Sequence, residues 1–546
     1  MRRFVLIGVV FLCCATSAQA GVLAHPGSPE LPAPRSFERL QSYPRTLVEL
    51  DHVRGAEAAP LLHKAGGQLI AGPLALWRLP SWTAQRLLPR LGRQGLVRSV
   101  TPDLPVGTDP RDARGFFSQF TDPLSTSEWW VSHVGADAWT FPGPGVPLTM
   151  IDSGVDLSHE EFAGRPNTTA LNRQTVNAGE EELHGTATSS VAAAPANGKG
   201  LVGIYPQAKL QLWDASPNGQ LTVGDEIAGL FSARRNGPGV INLSLGGFDR
   251  IPIEEHAIMS VVGAGSLVVA SAGNDREGGS SLSYPATFAH VLTIGATDEN
   301  DRVTSFSSTS PAMDLAAPGQ DIPAAIPTLY NPTGYATVDG TSFSSPLVAG
   351  AAAAVWTVRP TLVNTQLFQI MRHSARDVGK RGWDVNTGYG ILNVPAAVAR
   401  KAPPADPQEP NEDVYLVKPN GLTRTGNPQL TSPSRRRATL KATLERREDP
   451  EDLYRIYLPA RGRVVVTVKP NANVTLEAWG RRTRTVFERG SAARRDLLGV
   501  SAHAGRRFER ITLTGHGVAQ VVYVDAFLPK TVVQASYTLT VAPAAR

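Results

Sequence analysis

Five short apolar runs dominate the middle of this chain: L-T-M-I-D (148–152), K-L-Q-L-W-D (209–214), V-I-N-L-S-L (240–245), S-L-V-V-A-S-A-G-N (266–274) and V-L-T-I-G-A-T (291–297). They are short for helices and too uniformly apolar for strands with one wet face, so they read as parallel strands buried on both faces. Parallel neighbours need crossovers of about a dozen residues or more. Stretches with helical character at 186–194, 224–235, 254–265, 345–358 and 362–373 supply them. The expectation is an α/β domain over 122–400 with a doubly wound, mostly parallel sheet. Ligands of such sheets bind outside the carboxyl ends of the strands.

The chain has 546 residues, more than one core accommodates, and further units flank this domain. Residues 46–103 alternate strand-like and helix-like segments and predict a small α+β domain. A polar linker or processing region with Gly and Pro follows at 104–121. K-A-P-P-A-D-P-Q-E-P-N-E-D (401–413) reads as a linker, and 414–546 as a C-terminal all-β sandwich built of alternating, β-branched runs. Residues 1–20 combine two Arg, an apolar run and a terminal A-Q-A, the pattern of a secretory signal peptide cut after Ala20. A Pro-rich flexible leader (21–45) follows.

The only cysteines, Cys13 and Cys14, fall within that signal, so the mature, secreted chain would hold no disulfide and no thiolate metal site. No later apolar run reaches the ~20 residues of a membrane helix, so no transmembrane anchor is expected. The net charge is +5, with the basic excess concentrated after Lys401. That tail suits contact with an anionic cell surface; a solvated charged face is the other reading. No nucleic-acid partner is expected.

Four residues stand where chemistry could occur. Asp152 closes the first apolar run. His184 lies where the polar loop E-L-H-G-T gives way to a run of small residues. Asn274 follows the strand ending S-A-G. Ser342 lies in D-G-T-S-F-S-S-P-L-V-A-G, just before or at the start of a buried helix, where Pro346 fits the first turn. A helix N-terminus stabilises developing negative charge. Ser becomes a nucleophile when His takes its proton, and His needs a carboxylate to fix its tautomer. An amide such as Asn274 can donate to an oxyanion. Each has a plainer reading: Ser342 or Asp152 as a helix cap, Asp156 as the rival carboxylate, His184 as a structural histidine, Asn274 as a turn residue.

Taken together, I-D-S-G-V-D (151–156), H-G-T (184–186), S-A-G-N (271–274) and G-T-S-F-S-S-P-L-V-A-G (340–350) resemble, in order, the motifs of the subtilisin-like serine peptidases, or subtilases. I-N-L-S-L-G-G (241–247) and Y-P-A (284–286) also look like family segments. The resemblance implies Ser342 as nucleophile, His184 as general base and acid, Asp152 as its orienter, and Asn274 as oxyanion donor beside the Ser342 N–H. It further implies a cleft lined by Ser244, Leu245, Gly246, Ala272 and Gly273 that binds protein or peptide substrates in extended form.

Two positions depart from the family pattern. Ala187 stands where a second His is common, and Ser344 where Ala is usual; both bear on packing and pocket shape. By the same resemblance the N-terminal domain is a propeptide that inhibits its own enzyme until removed, as in a zymogen, with permanent retention the alternative. The C-terminal unit is similar to the pre-peptidase C-terminal domain. No cofactor is required, and structural calcium is compatible, with its ligands unassigned.

Overall fold

The computed structural model describes residues 45–51, 55–103, 122–487 and 495–544. The predicted signal peptide, nearly all of the leader and the segment 104–121 lie outside the described residues.

The N-terminal domain is an antiparallel sheet in the order β2-β3-β1-β4, formed by β1 (Arg45–Leu50), β2 (Gln68–Ala71), β3 (Leu76–Pro80) and β4 (Val97–Pro102). Helices α1 (Ala59–Lys64) and α2 (Ser81–Arg93) cover one face, where Val48, Leu62, Leu79, Leu88 and Leu91 form its own core. The alternate residues Leu47 and Leu76 face the other way, into the central domain.

The central domain holds a seven-stranded sheet in the order β11-β10-β9-β8-β5-β7-β6. Its strands are β5 (Pro147–Asp152), β6 (Thr168–Ala170), β7 (Lys209–Asp214), β8 (Val240–Leu243), β9 (Leu267–Ser271), β10 (Val291–Thr297) and β11 (Met313–Pro318). All pairings are parallel. Strand residues alternate between two cores. Met150, Val240 and Val269 meet one apolar cluster, and Ile151, Ile241 and Val268 the other.

The first cluster contains α4 (His184–Ala193) and α7 (Thr341–Val358). The small side chains of α7 let it lie buried beneath β8 to β11. The second contains α5 (Val223–Arg235) and α6 (Pro252–Val262), on which the N-terminal sheet rests. At that contact Asp103 accepts from the Gly224 N–H at the start of α5 (2.9 Å) and pairs with Arg78 (2.7 Å).

Ahead of the sheet, α3 (Trp130–His133) is a single turn, because Gly135 adopts φ +72° and ends it. Strand β11 is absent from the sequence reading: Asp314 and Pro318 break its apolar signature. Its Asp314 is buried against Arg372 at 2.9 Å, a partner that only the fold supplies.

The C-terminal region forms two antiparallel four-stranded sheets, β14-β21-β16-β19 and β15-β20-β17-β18, with α10 (Val414–Val417) ahead of them. Their strands are β14 (Ala438–Glu445), β15 (Glu451–Leu458), β16 (Arg463–Pro470), β17 (Thr475–Trp479), β18 (Leu497–Ser501), β19 (Glu509–Thr514), β20 (Gln520–Phe527) and β21 (Gln534–Pro543). Inward residues such as Ile456, Val466, Val524 and Leu539 share one core between the sheets. The segment read as a linker is held in place near its end: the Leu453 N–H donates to both the backbone oxygen and Oδ1 of Asn411, at 3.0 and 2.7 Å. The central-domain side is fastened by Arg372, which also pairs with Glu445 at 2.9 Å.

Candidate active site

Asp152 terminates β5, at the carboxyl end of the sheet, and is buried. Its Oδ1 lies 2.7 Å from His184 Nδ1 and also accepts the Ser153 N–H at 2.7 Å. Its Oδ2 accepts from the Thr188 hydroxyl at 2.9 Å. Thr188 is one turn beyond His184 on α4, so the helix presents both to one carboxylate. The spacing H-G-T-A-T carried that signal, but only a known partner for His184 would have given it meaning.

The chain passes closely here. A Cβ on Gly185 would come within 1.9 Å of the Ser153 carbonyl oxygen, so only glycine lets α4 begin against the end of β5. His184 is fully buried, and its ring lies 5.6 Å from that of Phe343, the residue after Ser342. Its Nε2 is buried and has no hydrogen-bond partner among the described residues.

Ser342 is the second residue of α7, following Gly340 at φ +147°. Its Oγ donates to the Ser244 carbonyl over a long 3.4 Å, while its own carbonyl accepts from Ser244 Oγ at 2.7 Å. Asn242 at the end of β8 braces this contact: Nδ2 donates to Ser244 Oγ (2.9 Å), and Oδ1 accepts from Ser345 Oγ (2.7 Å). Asn274, just past β9, accepts from both the N–H and the hydroxyl of Thr341 at 2.9 Å through Oδ1. Its amide is thereby oriented beside the residue preceding Ser342.

Of the predicted cleft residues, Ser244 and Leu245 are buried. The Leu245 side chain belongs to the core against α5 and α6, so only its backbone can border a cleft. Gly246 and Gly273 are partly open, and both approach Ser283: a Cβ on either would meet its side chain at 2.8 and 3.3 Å. The two departures from the family pattern are accommodated. Ala187 is sealed in the first apolar cluster, and Ser344 Oγ donates to the carbonyls of Ala317 (3.0 Å) and Pro318 (3.1 Å).

The sequence profile described as Subtilase family matches residues 143–390. Subtilisin BL from Lederbergia lenta is 34% identical over 281 residues, covering 49% of this chain and 97% of that protein. The chain belongs to the subtilase family. An alkaline protease from Alkalihalobacillus alcalophilus is 33% identical to this subtilase over 294 residues, covering 51% of the chain and 72% of the relative. Among solved structures, fervidolysin from Fervidobacterium pennivorans, described as a keratinolytic enzyme related to subtilisin, aligns with a TM-score of 0.56. That likeness extends over 87% of this chain and 76% of the other at 18% identity, and it concerns the fold.

Away from this subtilase's strand ends, the junction with the C-terminal region gathers carboxylates. Asp406, Glu409 and Asp452 bring ligand oxygens within 4.8 Å of one another, as do His290, Glu409 and Glu412 with the histidine nitrogen included. Asp406 Oδ1 and Glu409 Oε2 are buried without a hydrogen-bond partner among the described residues. An all-oxygen group with orphaned carboxylate atoms fits a hard divalent cation. The sequence missed it because its members come from two segments some forty residues apart.

Proposed function

We propose that this subtilase is a secreted serine endopeptidase, made as a zymogen, in which Ser342, His184 and Asp152 form the triad. In this reading the Ser342 side chain turns off the Ser244 carbonyl and gives its proton to His184 Nε2. Its Oγ then attacks the peptide carbonyl, and Asn274 with the Ser342 N–H receives the oxyanion. The collapsing intermediate expels the amine, which takes the proton from His184. Water then hydrolyses the acyl-enzyme by the same route. Asp152 keeps the proton of neutral His184 on Nδ1.

The observation that carries the reading is the state of His184. Asp152 anchors one ring nitrogen at 2.7 Å, and the other is buried and uncommitted beside the start of α7. A structural histidine would satisfy both nitrogens. The test is labelling of the mature protein by a fluorophosphonate, with the adduct mapped to the peptide containing Ser342. Absence of any adduct would remove the reading.

Of the positions assigned to the substrate side, Gly246 and Gly273 are partly open with Ser283 against them and Ala272 is buried; all are small and uncharged. Such a pocket admits apolar and aromatic side chains before the scissile bond. Digestion of a proteome-derived peptide library should show that preference; a profile dominated by Arg or Lys would overturn it.

The N-terminal domain serves as the inhibitor in this proposal, resting on α5 and α6. The first turns of those helices carry Glu226 and Glu254, both buried. Burial raises the Glu226 carboxyl from 4.5 to about 8, and burial with repulsion from Glu226 and Glu255 pushes Glu254 well up. A raised carboxyl means that the folded chain holds a proton the unfolded chain has lost. Its contribution is complete below about 4.5 and fades as pH rises through about 8. The melting temperature of the full chain should therefore fall between pH 5 and 9, and less steeply in Glu226→Gln. Equal slopes for the two proteins would assign the pH dependence elsewhere.

Asp406, Glu409 and Asp452 would hold a structural cation, for which calcium has the suitable chemistry. Burial and mutual repulsion push Asp406 up to about 9, a cost that a bound cation would offset. It takes no part in the catalytic steps. Added calcium should raise the melting temperature and a chelator lower it, and the difference should shrink in Glu409→Gln. Identical melting in calcium and chelator would exclude the ion.

A further inference from the structure

The N-terminal domain touches more than the catalytic domain. Its edge strand β4 carries Arg98, whose Nη1 donates to the Gly421 carbonyl of the C-terminal region at 2.9 Å. The same guanidinium nitrogen lies 3.4 Å from Glu49 Oε1 on β1. Glu49 Oε2 is in turn 3.4 Å from His256 Nδ1 on α6, and the His256 ring meets that of Tyr415 from α10 at 5.3 Å. Glu49 and His256 are both buried. Leu47, Leu74 and Leu76 of the N-terminal domain share one apolar cluster with Val414, Leu416, Val417 and Leu422, across α5 and α6. Three parts of the chain thus meet at one corner.

The C-terminal loop at this corner is built to hold its carbonyl still. The Leu422 N–H donates to the Tyr415 carbonyl at 2.7 Å and the Gly421 N–H to that of Lys418 at 3.2 Å. A Cβ on Gly421 would stand 2.0 Å from the Tyr415 carbonyl oxygen, so the turn closes only with glycine there. Lys418 lies close enough for burial and the Arg98 charge to lower its ammonium's proton affinity.

We infer that the α10 segment, residues 414–422, is a second docking surface for the chain's own N-terminal domain, a clamp that slows release of that domain after the connecting segment is cut. The inference rests on the reading of the N-terminal domain as the inhibitor. It assigns the C-terminal region a part in the timing of activation: the N-terminal domain must leave two surfaces, of which the catalytic domain offers only one. A charged donor to a rigid carbonyl is among the stronger single hydrogen bonds.

The test follows the lag before peptidase activity reaches its plateau in freshly secreted full chain, with plateau activity normalised to phosphonate-titrated serine. Arg98→Ala removes the donor. Gly421→Ala displaces the acceptor from the C-terminal side and leaves the Arg98–Glu49 pair in place. Each should shorten the lag about five- to tenfold with an unchanged plateau. The double variant should be little faster than either single one, because both remove the same contact.

Unchanged lags in both single variants would overturn the clamp while leaving the peptidase intact. So would multiplicative effects, which would mean that Arg98 acts through Glu49 alone. Failure of every variant and the parent to react with the phosphonate at any time would instead overturn the underlying enzyme reading, and the clamp with it.

Discussion

Replacing Ser342 with Ala should leave a folded, secreted protein that hydrolyses casein about 10⁶-fold more slowly, the scale seen when the nucleophile of subtilisin is removed. The reason for intact folding is local. The hydroxyl makes one long hydrogen bond, 3.4 Å to the Ser244 carbonyl, whereas the Ser342 backbone carbonyl keeps its 2.7 Å bond from Ser244. The start of α7 stays braced by Asn242–Ser345 and Asn274–Thr341. Ala also favours a helix. The loss should appear in kcat with KM almost unchanged, since Oγ contributes to bond-making and little to substrate binding. A clean preparation that retains more than a hundredth of the parent rate would mean that another group is the nucleophile. Autoprocessing should fail in the same variant, leaving the N-terminal domain covalently attached.

Replacing Asp152 with Asn should cost on the order of 10⁴ in kcat, by a different route. The carboxylate accepts three bonds: from His184 Nδ1, the Ser153 N–H and the Thr188 hydroxyl. An amide has one acceptor oxygen and one donating nitrogen. If the nitrogen faces His184, it forces the proton onto Nε2, the atom that must accept from Ser342. If the oxygen faces His184, it keeps the Ser153 N–H as well, and the amide N–H₂ is set against the buried Thr188 hydroxyl, which then has to give up its role as donor. The substitution changes charge and donor pattern with almost no change of volume, so the fold should persist. Steady-state kinetics on a small peptide ester and on an amide would show the loss in both; a decrease under tenfold would make Asp152 a structural cap.

The central sheet was legible because its strands are buried on both faces. Runs such as L-T-M-I and V-I-N-L admit little else, and their polar ends marked Asp152 and the neighbourhood of Asn274. The start of α7 was legible from Gly340, but Pro346, expected in the first turn of a helix over 345–358, lies inside a helix that already begins at Thr341. What the sequence hid was pairwise. Thr188 gains meaning only once Asp152 lies beside it. Asp314 and Arg372 look like ordinary surface charges until β11 and the C-terminal region enclose them. Leu245 reads as a cleft residue from its motif, yet its side chain points into the core with Ile241 and Leu243. The segment 401–413 has a linker's composition, but Asn411 and Asp413 are buried against the sandwich, a packing that proline and acid content conceal.

The most direct test of the triad is a crystal structure of the mature chain after reaction with a peptidyl phosphonate. The expected result is a covalent bond from phosphorus to Ser342 Oγ, His184 Nε2 hydrogen-bonded at the adduct, His184 Nδ1 still on Asp152, and the phosphoryl oxygen held by Asn274 and the Ser342 N–H. An adduct on another residue, or one on Ser342 with the imidazole turned away and Asn274 out of reach of the oxygen, would contradict it.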